Sequence, residues 1–176
     1  MGAMKSLGRG GNIFTAIEEE TGVTYTAFQA GFRDWLIDWD DPERSEVRGY
    51  LTVLNGIIAD RSDLSSRRSE GWDASKPLSA MVPDKQELVR DAQSLVDRVE
   101  ALTPPKELDE LHQNVAAYLN RVSDWLYLEL EFVQTGSDVK RIEANDMIPE
   151  IGARGTLVDR SISDVEFVYN LAGTIE

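Results

Sequence analysis

A chain of 176 residues, 41% hydrophobic and 28% charged, is long enough to bury a substantial core and too apolar to be disordered. It contains no cysteine, which excludes disulfides, thiolate catalysis and cysteine-based metal sites. Its net charge of −14, from 32 acidic against 18 basic residues spread along the chain, repels DNA, RNA and anionic membranes, so no direct nucleic-acid partner is expected.

Residues Met1 to Gly11 read as a disordered tail, and 12–176 as one helical-bundle domain. The opening Met1-Gly2-Ala3-Met4 lacks the apolar core of a secretory signal and resembles a vector remnant, ahead of which a native leader could have been removed. No apolar run approaches the roughly 20 residues that span a bilayer, so no transmembrane segment is expected.

Asn12 fits the cap of a short helix carrying Ile13, Phe14 and Ile17, ending near Gly22. Thr24 fits the cap of a second helix running to about Trp39. Its Phe28, Phe32, Trp35, Leu36 and Trp39 share one face. Asp41-Pro42-Glu43 is a strong helix start: a capping aspartate, proline at the first helical position and an acid in the first turn. That helix carries Val47, Leu51, Leu54, Ile58 and Leu64, and the short turn before it predicts an antiparallel hairpin with its predecessor.

The periodicity stops between Ser65 and Val82, which predicts a long loop. Arg67 and Arg68 make it the only locally basic stretch, and Trp72 suits a lid tucked against the bundle. Asp84 and Glu87 match a reciprocal N-terminal cap before a helix with Leu88, Ala92, Leu95, Val99 and Leu102 on one face. Thr103-Pro104-Pro105 breaks that helix and starts the next, with Thr103 as the expected cap. Leu108, Leu111, Val115, Leu119, Val122, Leu126, Leu130 and Val133 then recur every three or four residues until Gly136-Ser137.

The last segment is less regular. Val139, Ile142, Met147 and Ile148 suit a helix that Pro149 should break or kink, with Gly152 and Gly155 weakening the next turn. A final helix then presents Leu157, Ser161, Val165, Val168 and Leu171. The whole reads as an all-α protein: an antiparallel bundle of four main helices with additional helices at the N- and C-terminal ends. The expected core faces are Phe28 to Trp39, Val47 to Leu64, Leu88 to Leu102 and Leu108 to Val133.

Chemistry-bearing patterns are sparse. His112 is the only histidine, and Asp109 one turn before it supplies half of the carboxylate-x-x-His pattern of di-iron bundles; the second half is absent. His112 therefore suits a half-buried structural ring bonded to a loop backbone. Asp38, Asp40, Asp41 and Glu43 form an acidic corner able to offer oxygen ligands to a hard cation, without the glycine and terminal glutamate of an EF-hand. No serine lies in a Gly-x-Ser-x-Gly elbow. Gly8-Arg9-Gly10-Gly11 has no preceding strand and no following Gly-Lys-Ser/Thr. No catalytic residue, cofactor or metal is assigned.

The stretch from Val99 through Leu102-Thr103-Pro104-Pro105 to Leu108, Leu111 and His112 resembles small helical extracytoplasmic domains of bacteria and archaea, often lipid-anchored. In those, a Pro-Pro turn leads into a Leu-x-x-Leu-His-like opening of a long helix. The resemblance covers about 15 residues. It implies a helical fold and an extracytoplasmic or cell-surface setting, and names no activity. The expected function is a non-enzymatic module that binds a protein or small molecule through Trp35, Trp39 and Trp72. The alternative is an acidic cytoplasmic adaptor or nucleic-acid mimic that occupies a basic site on a partner.

Overall fold

The computed structural model describes residues 22–24, 26–31, 42–169 and 171. The chain divides into two compact units, Met1–Asp41 and Pro42–Glu176. In the first, residues 26–31 are helical and Thr24 is their cap. The Ala27 N–H donates to Thr24 Oγ1 at 3.2 Å and the Phe28 N–H to the Thr24 carbonyl at 2.8 Å. The expected helix around Ile13 to Ile17, and the positions Phe32, Trp35, Leu36 and Trp39, lie outside the described residues.

The second unit is a four-helix bundle: α1 (Pro42–Glu70), α2 (Val82–Glu100), α3 (Asp109–Thr135) and α4 (Asp138–Val168). Short 3-10 turns at Leu78–Met81 and Lys106–Leu108 lead into α2 and α3. No strand occurs among the described residues. Interhelical ion pairs give the directions. Asp60 and Arg67 of α1 meet Arg98 and Asp91 of α2, so seven residues forward on one helix match seven residues back on the other. Arg121 and Glu131 of α3 meet Glu150 and Lys140 of α4, ten residues forward against ten back. Neighbouring helices therefore run antiparallel, in up-down-up-down order.

All eight positions of the stripe from Leu108 to Val133 are buried. α3 is packed along both α2 and α4. Gly136 ends α3 in the left-handed conformation, with φ 69° and its N–H donated to the Phe132 carbonyl at 2.8 Å. No helix among the described residues is long and apolar enough to cross a membrane.

Several elements differ from the sequence reading. α1 does not stop at Leu64 but runs on to Glu70. Beyond Leu64 its inward side is continued by Arg68, which lies 4.3 Å over the Trp125 ring, while Arg61, one turn before Leu64, lies 5.1 Å over the Tyr118 ring. Its fully buried isoleucine is Ile57, with Ile58 only partly buried. The Asp84–Glu87 cap does not form. α2 begins at Val82 with Met81 in the cap position and no side-chain cap, which moves Asp84 into the first turn, where it faces the positive end of the helix dipole. Thr103 caps nothing, because the chain from Lys106 first makes a 3-10 turn and α3 opens at Asp109.

Pro149 does not end the last helix; α4 is continuous through it. Ala144, Met147, Ile151, Val158 and Ile162 are buried on one side while Pro149 is exposed, so the lost backbone hydrogen bond falls where water replaces it. The buried face of the C-terminal half is set by Val158 and Ile162; Leu157 and Val168, expected inside, are exposed. The fourth helix of this core is thus α4.

Gly152 and Gly155 occupy different surroundings on α4. A Cβ at Gly155 would lie 3.3 Å from Tyr118 Oη and 3.4 Å from its ring, whereas one at Gly152 meets nothing within 4 Å. Gly152→Ala should raise stability by about 0.5–1 kcal/mol through helix propensity. Gly155→Leu should lower it by about 1–3 kcal/mol by overpacking against Tyr118. Urea unfolding of the two variants checks both signs.

Candidate functional site

A cleft opens at the end of the bundle where α1 and α3 finish and α2 and α4 begin. Its anchor is Glu129, 6% exposed on α3, one position before the stripe residue Leu130. A carboxylate so deeply buried needs charged donors to replace the hydration it loses. Lys85, one turn into α2 and 1% exposed, donates its Nζ to Glu129 Oε2 at 2.7 Å. Arg68 reaches across from the last turn of α1. Its Nε donates to Oε1 at 2.8 Å, and its Nη2 bonds the same oxygen. The guanidinium also lies over the Trp125 ring, 4.3 Å from its centroid.

Trp72, just beyond α1, forms one wall. Its ring stacks on Phe132 of α3, with centroids 6.2 Å apart and planes at 21°. Its face looks toward Lys85 Nζ, 5.4 Å from the ring centroid. The opposite wall comes from the first turns of α4, through Arg141, Ala144 and Asn145. The space enclosed is about 470 Å³, within the range of small-molecule sites. Two cationic side chains, Arg68 and Lys85, meet one buried carboxylate here and a third, Arg141, lines the cleft, on a chain whose net charge is −14.

The charged side chains lining the cleft are Arg68, Glu129 and Arg141. Its one wall hydroxyl, on Ser69, donates to the Ser65 carbonyl at 3.0 Å, with no base set against it. The single histidine is elsewhere. His112 sits near the start of α3, at the opposite end of the bundle. Its partner is the Tyr50 hydroxyl of α1, 2.9 Å from Nδ1, rather than the loop backbone expected. Burial, and secondarily the charge of Asp109, pushes the Tyr50 phenol up to about 12.

Of the residues singled out by sequence, Trp72 lines this cleft. Trp35 and Trp39 lie outside the described residues, as do Asp38, Asp40 and Asp41 of the acidic corner. Glu43, its fourth member, accepts a hydrogen bond from the Tyr169 hydroxyl at 3.0 Å. Among the described residues no group of three or more histidine or acidic side chains is placed to hold a metal ion. Lys85, Glu129, Phe132 and Arg141 were not singled out by the sequence, and Arg68 only as part of the locally basic stretch. A signal for two of them existed: Lys85 and Glu129 stand at stripe positions, three residues from Leu88 and Leu126, where a charge has to be explained. Comparison with protein-family models, curated proteins and solved structures finds no match.

Glu129→Ala leaves the Lys85 ammonium buried without its partner and should cost about 3–5 kcal/mol of stability. The Lys85→Met/Glu129→Leu double variant removes both charges and should lose less than the single one; denaturant unfolding of the pair decides it. The Tyr50 shift has its own signature. A raised phenol favours the neutral form in the folded state, so its contribution is intact below pH 10 and disappears as pH rises to about 12. Stability profiles across that window should fall more steeply for the native chain than for Tyr50→Phe.

Proposed function

We propose that this chain is a non-enzymatic binding module whose working surface is the Trp72 cleft. The observation that carries this reading is the locally cationic, aromatic-walled concavity on an otherwise strongly acidic protein. A rigid floor supports it: Glu129, Lys85 and Arg68 are contributed by three different helices and hold one another in place. Trp72 is 43% exposed, so a ligand entering the cleft meets an aromatic face already braced by Phe132. An extracytoplasmic or cell-surface setting follows from the resemblance of the Thr103-Pro104-Pro105 segment, and fractionation of the producing cells tests it.

The competing reading puts the work on the acidic exterior, as a decoy for a basic site on a partner. Tryptophan fluorescence during a ligand and partner screen separates the two when repeated with Trp72→Ala. Binding through the cleft should be weakened tenfold or more by that substitution and should survive moderate salt. Binding that ignores Trp72, disappears at moderate salt and weakens on surface charge reversal would place the function on the exterior.

A further inference from the structure

The charges and unused donors around the cleft specify the kind of ligand it takes, granted that the cleft is the binding surface. Lys85 and Arg68 share a single carboxylate, so the buried cluster with Glu129 carries one excess positive charge. Arg141 is paired with Asp138, whose side chain is 78% exposed, and this pair adds no net charge. The cleft wall and its direct partners thus sum to one uncompensated cation.

The two arginines that line the cleft share one geometry. Each grips one carboxylate oxygen with Nε and Nη2: Arg68 on Glu129 Oε1, and Arg141 on Asp138 Oδ1 with both contacts at 3.1 Å. In both, the Nη1 amino group has no partner among the described residues. A guanidinium has five N–H donors in a fixed plane, and two of them remain on each Nη1. The Asn145 amide, also on the wall, has no side-chain hydrogen bond of its own among the described residues.

The Trp72–Phe132 pair gives the cleft a broad apolar face. Lys85 Nζ behind Trp72 draws on the ring's negative face and leaves the aromatic wall a poor site for a second cation. We propose that the cleft binds a planar organic monoanion, an aromatic carboxylate, with its ring against Trp72 and its carboxylate taken by the free Nη1 groups of Arg68 and Arg141. One negative charge matches the one excess cation, and two amino groups match two carboxylate oxygens. The roughly 470 Å³ of space accommodates a fused two-ring system.

Three probes of the same shape and different charge test this: naphthalene-2-carboxylate, naphthalene-2-carboxamide and protonated 2-naphthylmethylamine. Each is titrated calorimetrically against the full chain, Trp72→Ala and Arg141→Gln. Arg141 holds only an exposed partner, so Arg141→Gln should melt like the native chain. The expected order is carboxylate at least tenfold tighter than carboxamide, with no measurable ammonium binding. Arg141→Gln should erase the preference for the carboxylate, and Trp72→Ala should weaken all cleft binding. Trp72-dependent binding that is equal for the three probes, or a carboxylate preference unaffected by Arg141→Gln, overturns the anion inference and leaves the cleft as a binding surface. If none of the probes binds in a Trp72-dependent way the anion inference falls, and the broader screen then shows whether the cleft itself falls with it.

Discussion

The buried carboxylate of Glu129 organises one end of this bundle. Left alone in the interior it would cost several kcal/mol in lost solvation. It is stable there because Lys85 approaches from α2 and Arg68 from α1. Three helices are thereby tied at one point. The direction of each charged side chain also sets what surrounds it: Arg68 lies on Trp125, Lys85 sits behind Trp72, and Trp72 is braced by Phe132. The cleft is the space left between this cluster and the start of α4.

The other end of the bundle is held differently. Tyr50 and His112 join α1 to α3 through one hydrogen bond, and the Arg44 Nε donates to the Tyr169 carbonyl at 3.1 Å, joining the start of α1 to the end of α4. Between the two ends lies a continuous aliphatic core, with Leu51, Leu54, Val99, Val115 and Leu119 almost completely excluded from water. The polar contacts at the ends therefore act on orientation, while apolar burial supplies most of the driving force. Exposed interhelical pairs such as Arg98 with Asp60 and Arg121 with Glu150 line the outside. Singly, such exposed pairs contribute little. Repeated in one register along two helix pairs, they disfavour a slipped alignment.

A chain this acidic has reason to hide its cations. Most arginines on α1, α3 and α4 are neutralised by neighbouring carboxylates, several of them one turn away on the same helix. Arg67 shows the extreme, surrounded by Asp63, Glu87 and Asp91, and its guanidinium is held charged chiefly by the hydrogen bond to Asp91. Arg68, the next residue, points the other way into the bundle and shares its one carboxylate with Lys85. Adjacent residues on a helix differ by about 100° in direction. That rotation separates a saturated surface cation from one that helps build a cleft.

The sequence by itself determined the helical class, the α3 stripe from Leu108 to Val133, the start of α1 at Pro42 and the stop at Gly136. These follow from the helical period and from local backbone chemistry, which act over a few residues. It misread features in which a side chain far along the chain takes over a local role. α1 outlasts its aliphatic pattern because Arg68 finds an aromatic ring on α3, and α4 survives Pro149 because its buried face lies on the other side. Only the tertiary structure decided the cleft. Arg68, Lys85 and Glu129 are 17 to 61 residues apart, and although Lys85 and Glu129 stand out as charges at stripe positions, nothing local says that they meet each other or Arg68. Their meeting depends on three helices packing in one register, a constraint that no short window of sequence contains.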